Sequence, residues 1–282
     1  MEEFVQAADI PNSLREALLK SLASYSVGFL RIEDKGRPDA FDASLVGSGT
    51  LVKIGNIHAI LTAHHVLRAL PRSGRLGIML SRTSHPNTID SQGLAFLEIA
   101  RGANDASGPD LGAIILAPPI SGAIAAKKTF YNLESRRDLL LHNPPDLRDG
   151  LWWVHGFLDE RTVVADDPIE EGLTKFFYSF GLEGRPEPAI QVGEHDYYSF
   201  PFSHAAPKSF GGMSGGGLWQ VPLKRDGEGK LTYTTPILSG VLFYQVATTP
   251  TQCGVKCHGR ISVYQVAFNS IARNGVSARG TV

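Results

Sequence analysis

The sequence predicts an all-β protein of two antiparallel units, with a helix at each end. Three observations predict it. Thirty glycines and seventeen prolines among 282 residues imply many turns and therefore many short strands. Runs rich in Val, Ile, Leu and Phe recur between clusters of Gly, Pro, Asn, Asp and Ser. Helical periodicity is strong only near the N-terminus, and nothing alternates as βα units do.

In order along the chain, Ser13 and Glu16 have the spacing of a capping box, and Leu14, Ala17, Leu18 and Leu22 share one helical face. Residues 13–24 are therefore expected to form an amphipathic helix lying against the main body. Runs 26–32, 44–54, 57–63, 75–80, 93–99 and 111–117 read as strands of a small antiparallel barrel or sandwich. Residues 118–150 break the pattern. Pro118-Pro119 opens this connection, 120–138 has room for a turn or two of helix, and Asn143-Pro144-Pro145-Asp146 closes it. A second set follows at 151–157, 161–165, 173–180, 196–202, 216–221, 236–245 and 261–266, with a solvated hairpin tip at Lys224–Lys230 and a short helix over 265–273. The expected organisation is an arm at 1–25, a first β-unit at 26–125, a connection at 126–150 and a second β-unit at 151–282.

A net charge of −1 with 20% charged residues gives no electrostatic case for nucleic acid or an anionic membrane as partner. No apolar run approaches the roughly 18 residues of a membrane span. Met1-Glu2-Glu3-Phe4 lacks the pattern of a secretory signal, and two cysteines make no disulfide framework, so a cytoplasmic protein is expected. Cys253-Gly254-Val255-Lys256-Cys257-His258 could offer ligands to zinc, but no fourth ligand pattern accompanies it. Reduced thiols in a surface loop are expected there, and no metal or cofactor. The sequence carries no signal of oligomeric state.

The chemistry is concentrated around Phe210-Gly211-Gly212-Met213-Ser214-Gly215-Gly216-Gly217-Leu218-Trp219, where one hydroxyl sits among glycines. A glycine linker is the plain alternative, but Phe210 and Trp219 frame this stretch. A serine hydroxyl becomes a nucleophile only when a base takes its proton, usually a histidine oriented by a carboxylate. Ile60-Leu61-Thr62-Ala63-His64-His65-Val66 offers the base, directly after a strand. Pro109-Asp110-Leu111-Gly112-Ala113-Ile114-Ile115-Leu116 places an acid at the mouth of an apolar strand, where burial demands a hydrogen-bond partner. The Gly-x-Ser-x-Gly pattern also suits an α/β-hydrolase elbow. That elbow needs a helix after the serine, whereas strand-like Gly217-Leu218-Trp219-Gln220-Val221 follows here, and Asp226 comes too soon for a βα crossover.

Leu61-Thr62-Ala63-His64-His65, Asp110-Leu111-Gly112-Ala113-Ile114 and Gly212-Met213-Ser214-Gly215-Gly216 resemble the signature segments of the trypsin/chymotrypsin-like serine proteases, in that family's order. Gly47-Ser48-Gly49-Thr50 and Val154-His155-Gly156-Phe157 resemble segments of its bacterial members, and the likeness spans roughly residues 26–270. The resemblance implies two six-stranded antiparallel β-barrels with the site between them. It also implies a serine endopeptidase acting through an acyl-enzyme, with His65 as general base, Asp110 orienting it and Ser214 attacking. His64 is the fallback base. The amides of Gly212 and Ser214 would form the oxyanion hole. Lys208 would lie at the base of the specificity pocket, and Phe243, Tyr244 and Gln245 would bind a polypeptide substrate as an extended strand. Met213 departs from the family, which commonly has Asp before the serine to receive a freed N-terminal ammonium; that activation switch cannot operate here. The alternative from another class is a catalytically silent, protease-like module that binds peptides or serves as a scaffold.

Overall fold

The apolar runs become strands whose two faces are sorted by parity. A computed structural model describes residues 10–37, 40–80, 87–102, 108–167, 172–202, 207–249 and 252–277. Helix α1 (Asn12–Ala23) leads into β1 (Ser26–Arg37), β2 (Ala40–Ile54) and β3 (Ile57–Thr62). Helix α2 (His64–Ala69) precedes β4 (Arg75–Met79), β5 (Asn87–Asp90), β6 (Leu94–Ala100) and β7 (Leu111–Leu116). The connection holds α3 (Pro118–Ala125), β8 (Tyr131–Asn132) and α4 (Arg137–His142). Then come β9 (Leu151–Phe157), β10 (Val163–Asp167), β11 (Gly172–Phe176), β12 (Ser179–Gly184), β13 (Ile190–Val192) and β14 (His195–Phe202). The chain continues through β15 (Gly217–Val221), β16 (Leu223–Arg225), β17 (Leu231–Tyr233), β18 (Ile237–Thr249) and β19 (Gln252–His258), and ends in a π-helical turn at Ser262–Ala267 that runs on into α5 (Phe268–Ser277).

The first sheet has the order β5-β4-β1-β2-β3-β7-β6, with β8 added parallel to β2. The second runs β12-β9-β15-β18-β19-β14-β13. Without the short β5, β8 and β13, each sheet keeps six main strands, all paired antiparallel. This is the all-β chymotrypsin-like architecture, with a helix near each end.

Parity decides what each strand buries. Ala59 and Leu61 of β3, Leu111 and Ala113 of β7, Leu151 and Trp153 of β9, and Trp219 and Val221 of β15 all enter one cluster shared by the two sheets. Their neighbours turn the other way. Ile60, Ile114 and Leu116 join the core of the first sheet, while Trp152, Val154 and Leu218 join that of the second. Strands buried on both faces read as continuous apolar runs, which is why the sequence marked them clearly.

Leu18 and Leu22 of α1 also enter the shared cluster. An Arg15–Glu183 ion pair ties the helix to β12, and Tyr25 packs on Tyr131 and Trp219. The Ser13 capping box is not formed: Pro11 caps the helix, its carbonyl accepting from the amides of Leu14 and Arg15. Pro118 and Pro119 occupy the first turn of α3, where a missing N–H costs nothing. The run 173–180 divides into two strands that belong to different sheets. Residues 261–266 are helical, because Val263, Tyr264, Ala267 and Ile271 reach the shared core at helical spacing.

The cysteine segment is a correction. It is not a surface loop but β19, held between β18 and β14. Both thiols are free; Cys257 is buried, its thiol pushed well above the usual range by burial, and Cys253 is half-buried. Among the described residues no group of three or more His, Cys, Asp or Glu could hold a metal ion, and no helix is long and apolar enough to cross a membrane.

Two buried histidines make stability depend on pH. Burial, with Lys128 nearby, pushes His155 down to about 3, and burial, with His195 nearby, pushes His258 down to about 3. Both are neutral when folded, whereas an unfolded histidine binds a proton below about 6.5. The unfolded chain therefore gains protons first as pH falls, and stability is lost from about pH 6.5 down toward the folded values, by up to about 1.4 kcal/mol per pH unit per histidine. Urea midpoints at pH 7 and pH 5 should differ accordingly; equal midpoints would contradict the buried neutral pair.

Candidate active site

The register of the first sheet puts His65 and Asp110 side by side. Thr62 of β3 pairs with Gly112 of β7 in an antiparallel ladder, so the residues just after β3 and just before β7 share one end of the sheet. The chain turns into α2 there, and Asp110 receives His65 twice. The His65 amide donates to Asp110 Oδ1 at 2.9 Å, and His65 Nδ1 lies 2.5 Å from Oδ2. Asp110 is 1% exposed. Burial raises its carboxyl, but the hydrogen bonds and charge of His65 outweigh that and hold it below the usual carboxylate range. His64 faces elsewhere: it is buried, with Nε2 3.6 Å from Glu98 Oε2. The structure therefore brings His65, not His64, to Asp110.

Ser214 is presented by two successive turns. Met213 N–H bonds to Phe210 C=O at 3.0 Å, with Gly212 third in the turn at φ +86°. Gly216 N–H bonds to Met213 C=O at 2.8 Å, with Gly215 third at φ +91°. Positive φ at the third residue is the requirement of a type II turn, and it selects glycine. A Cβ on Gly215 would also lie 1.9 Å from the Ser48 carbonyl oxygen.

The loop is held almost completely. Gly211 C=O accepts from Asp159 N–H at 2.9 Å, Gly212 C=O from Ser48 Oγ at 2.7 Å, and Ser214 C=O from Ser48 N–H at 2.8 Å. Gly215 N–H donates to Leu242 C=O, Leu242 N–H donates to Gly216 C=O, and Thr50 Oγ1 donates to Gly215 C=O. Of the backbone N–H and C=O groups from Gly211 to Gly216, only the amides of Gly212 and Ser214 lack a partner among the described residues. Both belong to trans peptides whose carbonyls are engaged, so each N–H points away from the group holding that carbonyl.

The two halves meet at the base of this loop. Ser48 Oγ accepts from Phe157 N–H at 2.7 Å, and Thr62 Oγ1 donates to the Ser48 carbonyl at 2.8 Å. A Cβ on Gly47 would touch both the Val66 methyls of α2 and the Ser214 carbonyl oxygen, so the base-bearing helix and the serine loop approach one glycine. Among the described residues no hydrogen bond joins the Ser214 hydroxyl to His65.

Met213 is fully buried in an apolar cluster with Phe202, Phe210, Leu158 and Leu218. The loop is thus anchored by hydrophobic burial at the position where an acid would need an ionic partner. Lys208 is exposed, and its carbonyl accepts from Gln245 Nε2 of β18 at 3.3 Å. Gln245 Oε1 accepts from Phe210 N–H at 2.9 Å. Phe243 is buried against Tyr197 and His258, while Tyr244 and Gln245 are half-buried. β15 pairs with β18 only as far as Val241, so the edge of β18 beyond Leu242 has no strand partner among the described residues.

The sequence reading gave no role to Ser48 or Asp159. Gly47-Ser48-Gly49-Thr50 was visible as a segment, but a hydroxyl that bridges two sheets has no signature of its own.

No protein-family profile matches the chain, and no curated protein matches it. Solved structures do. The tobacco vein mottling virus protease aligns over 84% of this chain and 78% of its own, with 12% identity and a TM-score of 0.40. The HtrA-type protease AlgW with a decapeptide aligns over 91% and 67%, with 12% identity and a TM-score of 0.43. A catalytically inactive tobacco etch virus protease complexed with substrate aligns over 84% and 79%, with 11% identity and a TM-score of 0.35.

Three substitutions test the loop. Met213→Leu keeps the volume and should cost less than about 1.5 kcal/mol, whereas Met213→Asp buries an unpaired charge and should cost about 3 kcal/mol or more. Chemical denaturation of both variants checks this. Gly215→Ala meets a positive φ and a backbone oxygen together, and should lower the urea midpoint well beyond the leucine variant.

Proposed function

We propose that this chain is a serine endopeptidase in which Ser214 is the nucleophile, His65 the general base and Asp110 the residue that orients it. The observation that carries the reading is the pair of amides at Gly212 and Ser214, the backbone groups from Gly211 to Gly216 that lack a partner among the described residues. Two backbone donors left open by the loop's own hydrogen bonds, one of them the serine's own, suit an oxygen that gains negative charge. The double contact between His65 and Asp110 supports the base assignment.

In this mechanism the substrate lies along the open edge of β18 as an added strand, with its scissile carbonyl at Ser214. Ser214 Oγ attacks the carbonyl carbon as His65 Nε2 takes its proton, and the Gly212 and Ser214 amides receive the oxyanion. Asp110 accepts from Nδ1, fixes the tautomer and stabilises the charged ring. His65 then protonates the leaving amine, leaving an acyl-enzyme. Water, deprotonated by the same nitrogen, hydrolyses the ester. The Ser214–His65 hydrogen bond forms with substrate in place, as catalytic contacts commonly tighten on binding. With Met213 buried and the loop held by Ser48, Asp159 and Leu242, competence does not wait on a freed terminal ammonium.

A fluorophosphonate probe tests this directly. The parent chain should be labelled, and Ser214→Ala should not. Asp110→Asn should slow labelling by roughly 10³–10⁴, by analogy with the loss seen when a triad acid is made neutral. Absence of serine-dependent labelling in the folded parent would instead favour the silent peptide-binding module. Ser48→Ala removes the hydroxyl that holds Gly212 C=O and Phe157 N–H, and should slow labelling by about tenfold or more with the fold retained by circular dichroism.

A further inference from the structure

Behind Asp110 stands a second imidazole that the mechanism does not use. His258 is the last residue of β19 and is fully buried. Its Nε2 accepts the backbone N–H of Asp110 at 3.0 Å, a contact from the second sheet to the first. Because Nε2 accepts, the ring is neutral and carries its proton on Nδ1, which is buried without a partner among the described residues. The ring packs against Phe243 at 4.7 Å, Tyr197 at 5.2 Å and His195 at 5.5 Å between centroids.

His258 is held rigidly. It pairs with Val241 of β18 on one side and Tyr197 of β14 on the other. The chain just beyond it is fixed to Asp196, whose carbonyl accepts from Gly259 N–H at 2.7 Å and whose carboxylate accepts from Ile261 and Ser262 N–H. A space-filling core residue at this place would need no acceptor. The polar nitrogen is kept although its partner Nδ1 stays unsatisfied, and the group it serves is the amide of the residue whose carboxylate grips His65.

The geometry points to His258 as a positioning residue: from the second sheet it holds the Asp110 backbone so that both carboxylate oxygens meet His65. The inference rests on the triad reading, which gives that placement its purpose. His258 touches neither substrate nor the reacting atoms; it acts through Asp110, and it couples the placement of the acid to β18 through Phe243.

The test uses the full chain and three forms: parent, His258→Gln and His258→Phe. Glutamine can set an amide oxygen near the position of Nε2, whereas phenylalanine fills the space without an acceptor. The readouts are the fluorophosphonate labelling rate, circular dichroism, and the low-field proton NMR signal of His65 Nδ1–H, identified by its loss in His65→Ala. His258→Phe should fold, label about tenfold or more slowly and shift or lose that signal, and His258→Gln should recover most of both. Parent-like rate and signal in the folded phenylalanine variant would overturn the proposal, as would a glutamine variant no better than phenylalanine. If phenylalanine prevents folding, His258→Met takes its place; failure of both to fold while glutamine folds would make the contact one of stability and also overturn the proposal. An unlabelled parent would sink the peptidase reading alone, since the NMR signal reports the His65–Asp110 bond without any reaction.

Discussion

Ser48 is the point on which both sides of the site depend. Its hydroxyl accepts from Phe157 and donates to Gly212, its amide donates to Ser214, and its carbonyl accepts from Thr62. Thr62 ends the strand that delivers His65, and Gly212 and Ser214 belong to the other half of the chain. One small residue on the first sheet therefore sets where the serine loop sits relative to the base. Each bond contributes only about 1 kcal/mol to net stability, so their value lies in geometry rather than in energy. A hydroxyl that both donates and accepts can lock two peptide planes at once, which an alanine of nearly equal size cannot.

The way this loop is ordered has an energetic consequence. A buried ion pair would carry a desolvation cost that its attraction only partly returns. Met213 avoids that cost by burying an apolar side chain among Phe202, Phe210 and Leu218. Its flexible chain fills an irregular gap and leaves no charge behind. The peptide orientations then follow from backbone partners: Asp159 fixes the Gly211 carbonyl and Gly216 fixes that of Met213. Neither constraint titrates near neutral pH, so the loop's order does not depend on a charge that must first be created.

Much of this was legible in the sequence where burial is two-sided. Leu111-Gly112-Ala113-Ile114-Ile115-Leu116 and Leu151-Trp152-Trp153-Val154 are unbroken because even and odd residues enter different cores. β19 escaped notice because Gly254 and Lys256 interrupt its apolar pattern, although register places it centrally in the sheet. Ile261-Ser262-Val263-Tyr264-Gln265-Val266 showed the opposite error. Its near-alternation suits a strand, but Asp196 captures the amides of Ile261 and Ser262 and starts a helix there. At the site, spacing alone could not separate His64 from His65; only the turn into α2 sends one ring to Asp110 and the other toward Glu98. Cross-sheet contacts such as Ser48 to Gly212 and His258 to Asp110 join residues far apart in the chain, and no local pattern encodes them.

The proposed peptide site rests on the edge of β18 beyond Leu242, which has no strand partner among the described residues. Its residues are not independent of the serine loop, because Gln245 reaches across to the Phe210 amide and the Lys208 carbonyl, and Leu242 exchanges hydrogen bonds with Gly215 and Gly216. Strand and loop are therefore joined by both side-chain and backbone hydrogen bonds. In the proposed function a chain that pairs with β18 would meet Ser214 in a fixed relation, so that little binding energy would be spent in ordering the site. Lys208 meets β18 through its carbonyl, which accepts from Gln245 Nε2.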